Sequence, residues 1–388
     1  MGYSMNRKMT LLIILSLGSA ISARILSVAT SQILQEVARD AVAGDTILVS
    51  PGDYLLSKGS SLDPGNLPTG KGLVWIGSNG TAAHPIVLAG TDIHNPPVIR
   101  GESYSSGYGI HVTGDYVVLK NLVIHTIDKG IVFDNASDGI IEDCEIYNSG
   151  AELVHFRDAS SRNRANRNHL YSSGNGGNGS IGEGFYVGTD QARWGAPDID
   201  SSGWGDLAKT EGYGGYDYRV ENTEITCNLI SAISAEPFDI KEGTRFTVVK
   251  NNMIVGDSIG LKPGAQSYDD SFIDLKGVGA TIKANRFFAG GNNIVKFVSE
   301  VKRQFSHIPA SLTVDKNTSA WCDESGTDKN ICRATENEIV DEITDPRTTC
   351  AEIFSLGSLT GIKNKSNERV FRIKSFSPKF DLLGRQYR

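Results

Sequence analysis

The sequence is short of positive charge: 38 Lys and Arg stand against 45 Asp and Glu, a formal net charge of −7. Neutralising a phosphate backbone takes a basic surface, so no nucleic-acid partner is expected. The five cysteines and seven histidines show no spacing that reads as a zinc site. No Ser-His-Asp hydrolase motif is present, and no glycine-rich phosphate loop lies between a strand and a helix. The apolar run Leu11 to Leu17 is far shorter than the roughly 20 residues that a membrane span needs, so no membrane partner is expected either. Helical periodicity nearly vanishes outside Ser31 to Ala43, where Ile33, Leu34, Val37, Ala38 and Val42 recur on one face and Gly44 ends the pattern.

What is present begins with Arg7 and Lys8, the short apolar run, and the small-residue triplet Ile21-Ser22-Ala23. This is the pattern of a secretory signal peptide over residues 1–23, so a secreted, extracellular chain starting near Arg24 is expected. Glycosylation acceptor triplets at Asn79, Asn135, Asn178, Asn317 and Asn364 agree with a secreted glycoprotein. In an oxidising compartment two of Cys322, Cys332 and Cys350 are expected to close a loop. Cys144 and Cys227 lie within apolar patterns and are expected as packed thiols.

After Gly44, short β-branched runs take over, each closed by Gly, Asn or Asp. Successive strand residues point to opposite faces, so one register must bury the apolar set. Six segments align on that rule, with Ile110, Ile131, Val154, Phe185, Phe238 and Ile273 at the same inward position. The first steps along this stack, 21 and 23 residues, are about one coil of a parallel β-helix, and the later steps of 31, 53 and 35 are coils with inserted loops. A second register places Asn121, Asn168, Asn228, Asn252 and Asn285 at a turn, where stacked side-chain amides can bond the next coil. A β-sandwich would favour hairpin turns and leaves the coil spacing unexplained. The predicted architecture is all-β: a right-handed parallel β-helix over residues 24–301 with an N-terminal capping helix, followed by a C-terminal tail or cap over 302–388.

With the inward set fixed, the alternate positions form an outward surface. One column reads His111, Val132, His155, Tyr186, Asp239, Asp274, and the next reads Thr113, Asp134, Arg157, Gly188, Lys241, Lys276. The residue opening each segment adds Glu152, Glu183 and Glu236. Breaking a uronate polymer by elimination requires a base for the proton beside the carboxylate and a group that neutralises the carboxylate. Lys241 is the candidate base, helped by a second cation at Lys276. Lys276, Arg157, or a calcium ion on Glu183, Glu236 and Asp239 are the candidates for neutralising the carboxylate, although no dedicated calcium loop is visible. Tyr186 or His155 is the candidate proton donor. Asp239, Asp274, and the loop residues Trp194 and Trp204 are candidate substrate contacts, since aromatic rings suit sugar faces.

The opening Gly44-Asp45-Thr46-Ile47-Leu48-Val49 with Gly52-Asp53-Tyr54, Pro85-Ile86-Val87-Leu88 and Pro97-Val98-Ile99 resembles the parallel β-helix polysaccharide lyases related to chondroitinase B and alginate lyase. Glu236-Pro237-Phe238-Asp239-Ile240-Lys241, with Ile273-Asp274-Leu275-Lys276-Gly277 and Asn285-Arg286-Phe287 one coil later, resembles it more specifically. The resemblance implies the base at Lys241. The second cation of that family is an arginine, replaced here by Lys276. The first of its two calcium carboxylates is replaced by Ser234, and the second falls on Glu236. A group of secreted β-helix proteins carrying Asp-Ile-Lys-Glu-Gly is a closer likeness still. The expected protein is a monomeric lyase acting on an acidic polysaccharide. The alternatives are a hydrolase using Glu236 and Asp239 as paired carboxylates, or a carbohydrate-binding wall protein without turnover.

Overall fold

The computed structural model describes residues 23–57, 72–177, 181–190, 219–241, 244–255, 272–275, 277, 279–288, 333–335, 338–340, 344–348 and 350. Among them the chain winds as a right-handed parallel β-helix whose central coils give one strand to each of three sheets, of ten, seven and nine strands, while the coils at either end contribute to fewer. A two-stranded parallel pair, Val220–Glu221 with Thr244–Arg245, stands beside them. Pairing continues past residue 301, where Arg333–Thr335 and Glu338–Val340 extend two of the sheets. No helix among the described residues is long and apolar enough to cross a membrane.

The seven-stranded sheet carries the aligned segments, and its register is the expected one. Ile110 pairs with Ile131, Ile131 with Val154, Val154 with Phe185, Phe185 with Phe238, and Phe238 with Ile273. Each of these side chains is withdrawn from water, and the Phe185 and Phe238 rings stack 5.7 Å apart. Burying such a side chain contributes roughly 1.5–3 kcal/mol, so sliding any strand by one residue forfeits the whole stack.

A polar ladder crosses the same interior. Asn168, Asn228, Asn252 and Asn285 are linked in series: the first three Nδ2 groups each donate to the next amide oxygen at 2.9–3.0 Å, and all four donate to a carbonyl of the preceding coil. Asn121, expected in this series, falls one position earlier. It has a left-handed backbone and donates to the Gly90 carbonyl instead.

The capping helix spans Ser31–Arg39, shorter than its apolar pattern. The carboxylate of Asp45 takes the Val42 N–H at 2.9 Å and pairs with Arg24, which draws the chain off the helix before residue 43. Gln35 donates from Nε2 to the Leu73 carbonyl at 2.7 Å, so the cap also satisfies the open end of the site-bearing sheet.

Cys144 is the expected buried free thiol, but Cys227 departs from expectation: it is bonded to Cys350, for which the expected partners are Cys322 and Cys332. Cys227 sits at a corner with φ of 60°, outside the alternation its apolar neighbours suggest, and so reaches the C-terminal segment. Cys322 and Cys332 lie outside the described residues.

Candidate active site

The outer face of the seven-stranded sheet holds one continuous column in register: Trp75, His111, Val132, His155, Tyr186, Asp239, Asp274. Strand pairing thus brings side chains far apart in sequence to about 4.8 Å spacing. Lys241 follows the strand Phe238–Ile240 and is anchored by its own N–H on the Val187 carbonyl. Its Nζ is 2.7 Å from Asp239 Oδ2 and 3.2 Å from Asp190 Oδ2, and lies 4.8 Å from the centroid of the Tyr186 ring. The structure therefore joins the candidate base to the candidate donor Tyr186. Lys276, Trp194 and Trp204 lie outside the described residues.

His155 packs on Tyr186 with ring centroids 4.3 Å apart. Its Nε2 is 3.0 Å from the Gly188 carbonyl, which can only accept, so this nitrogen carries the proton. Burial, reinforced by the charges of Lys129 and Arg157, pushes its pKa well below the usual histidine range. A neutral ring whose N–H is already bound to a carbonyl is a poor acid, which leaves Tyr186 as the better placed donor.

Arg157 is engaged in a second network. It gives two hydrogen bonds to Asp134, at 2.5 and 2.8 Å, and lies 3.5 Å from Asp158. His111 Nε2 adds a contact of 3.0 Å to Asp134. Burial opposes the charge on Asp134, but Arg157 and His111 outweigh it and hold the carboxyl well below the ordinary range. Arg157 thus spends much of its charge on a buried partner, so it is a weaker candidate for meeting a substrate carboxylate than the sequence suggested.

Acidic residues from two neighbouring strand segments converge beside Lys241. Glu183, Glu236 and Asp239 are buried, with carboxylate oxygens within 4.8 Å of one another. Strict alternation would turn Glu183 and Glu236 inward; the structure instead groups their carboxylates with that of Asp239. A Cβ on Gly184 would stand 2.6 Å from the Pro237 carbonyl oxygen, so the coils touch there through glycine. Burial, then the charges of Glu152, Asp239 and Glu236, push the Glu183 carboxyl well above its ordinary range. Its Oε2 is buried without a hydrogen-bond partner. Three converging carboxylates with one unsatisfied oxygen fit a hard cation such as calcium, which takes oxygen ligands. Asp190, which opens the loop after Gly188, was missed in the sequence because no strand register includes it.

The chain is a parallel β-helix with a lysine and carboxylates on the outer face of one sheet, and known proteins share this fold. Residues 65–191 match the family described as the right handed beta helix region. An alginate lyase from Paenibacillus sp. str. FPU-7 is 32% identical over 73% of this chain and 82% of its own, with a TM-score of 0.59. Pectate lyase Pel9A is 16% identical over 73% and 69% of the two chains, with a TM-score of 0.49. No curated protein matches the chain. The chain belongs to the right-handed β-helix proteins of the pectate-lyase-like superfamily.

Proposed function

We propose that the protein is a secreted lyase that cleaves a uronate polysaccharide of the alginate type by β-elimination. The observation that carries this reading is the Lys241 ammonium over the Tyr186 ring, beside a buried carboxylate cluster. Likeness to the Paenibacillus alginate lyase supports the choice of polymer.

Lys241 takes the proton from C5, the carbon bearing the carboxylate. The electron pair of that bond becomes the C4=C5 double bond, the bond from C4 to the glycosidic oxygen breaks, and Tyr186 protonates the departing oxygen. Lys241 must first shed its own proton, and half-exposed Asp190, 3.2 Å away, offers a route to water. Glu183, Glu236 and Asp239 would hold calcium, which supplies positive charge for the substrate carboxylate. Both reacting groups stand on one face of one sheet, an arrangement suited to syn elimination. In mannuronate the C5 hydrogen and the C4 oxygen lie on the same side of the ring, so mannuronate linkages are the expected target.

Hydrolysis by Glu236 and Asp239 fits less well. Asp239 is bound by Lys241 at 2.7 Å, and the two carboxylates crowd a third instead of flanking space for a sugar. Digestion of polymannuronate and polyguluronate, with products read by mass and ultraviolet absorbance, tests the reading. Unsaturated ends, formed faster from polymannuronate, are expected; saturated ends alone would make the protein a hydrolase.

A further inference from the structure

Trp75 stands at the far end of the column that holds Tyr186 and Asp239, in register with His111 on the next coil. It is half-exposed. Its indole is fixed in two ways. Nε1 donates to Thr113 Oγ1 at 2.9 Å, across to the adjacent coil. The six-membered ring lies over Gly77: a Cβ there would be 2.1 Å from Cζ2 and 2.6 and 2.7 Å from the flanking Cε2 and Cη2. Those near-equal distances belong to a point above the ring plane, since a point beyond Cζ2 within the plane would stand clearly farther from both neighbours. One face of the indole therefore rests on the Gly77 backbone and the opposite face is turned away from the sheet. Any side chain at residue 77 would lift the ring off.

A flat, half-exposed indole held by a hydrogen bond and a glycine seat is suited to the C–H face of a sugar ring. Register separates it from Tyr186 by four coil steps, through His111, Val132 and His155, or about 19 Å at about 4.8 Å per coil. A pyranose ring with its linkage extends about as far as one coil spacing. We propose that Trp75 is a distal subsite that stacks a uronate ring about four residues from the bond being cleaved, with the polymer lying along the helix axis. The proposal rests on the lyase reading for its choice of ligand. It makes the protein selective for long chains, because short oligomers cannot reach both ends of the column.

The test compares wild type with Trp75→Ala, Trp75→Phe and Gly77→Val on mannuronate trimers and octamers, measuring kcat and KM from unsaturated ends. Trp75→Ala and Gly77→Val are expected to raise KM for the octamer about tenfold, leaving kcat and both trimer constants unchanged. Trp75→Phe should restore most of the loss. A second arm removes the dependence on turnover: octamer is titrated calorimetrically into Lys241→Ala and into Lys241→Ala/Trp75→Ala. Tighter binding by the first supports the subsite. Equal effects on trimer and octamer, equal calorimetric affinity in the two proteins, or no octamer binding by Lys241→Ala overturns it. Absence of unsaturated products from wild type, with the calorimetric difference intact, would instead remove the lyase reading and leave the subsite standing.

Discussion

The Lys241 ammonium sits 4.8 Å from the centroid of the Tyr186 ring, on the neighbouring coil and the same outer face. If the two act as base and acid, Tyr186→Phe keeps the ring under Lys241 and removes only the proton. A fall in kcat of about 10² or more, with an unchanged melting curve, is expected. His155→Gln should cost much less, because His155 gives its N–H to Gly188 in the resting site. Comparable losses in the two variants would shift the donor role to His155.

Glu183 supplies a pH signature. Its carboxyl is held well above the ordinary range, so between that ordinary value and the raised one the folded state keeps a proton that the unfolded chain has lost. Stability must therefore fall as pH rises through this window. In chelator, melts between about pH 5 and 8 should show this decline in wild type and a flatter profile in Glu183→Gln. Added calcium should raise the melting temperature of wild type most at the higher pH, where the carboxylates are ionised, and barely affect Glu183→Gln. A calcium response that survives this substitution would place the ion elsewhere.

Phe238 tests the core. It is fully buried, stacked on Phe185 and paired with Ile273. Phe238→Ala should cost about 3–5 kcal/mol in denaturant unfolding. A cost typical of a surface position would contradict the inward stack.

The inward stack was legible because apolar alternation and coil length constrain each other, and the outward columns followed from the same register. What escaped depends on corners, where alternation lapses. Asn121 and Cys227 both have left-handed backbones at such corners, so counting from neighbouring strands misplaced one by a position and hid that the other, though buried, meets Cys350. Asp190 lies past its strand, and Trp75 belongs to a coil whose apolar run, Gly72–Ile76, was not among the aligned segments. The competition for Arg157 by Asp134 was hidden for another reason: both residues were read correctly as outward, but register alone does not say which charges neutralise each other first.

The Cys227–Cys350 bond ties the coil at residue 227 to a segment 123 residues later. Cys227→Ser is expected to lower stability by about 2–4 kcal/mol. Matching loss on reduction of wild type, and none on reduction of the variant, would assign the effect to this bond; equal loss in both would not.

Release of unsaturated uronyl ends from polymannuronate by wild type and by Lys241→Ala tests the central claim most directly. Lys241 fills no core volume, but its removal leaves the buried Asp239 carboxylate without the Lys241 cation, so the variant should melt at a lower temperature yet stay folded at the assay temperature while its rate falls below detection. A folded Lys241→Ala protein that releases unsaturated ends at the wild-type rate would contradict the assignment of the base, and with it the reaction proposed for this site.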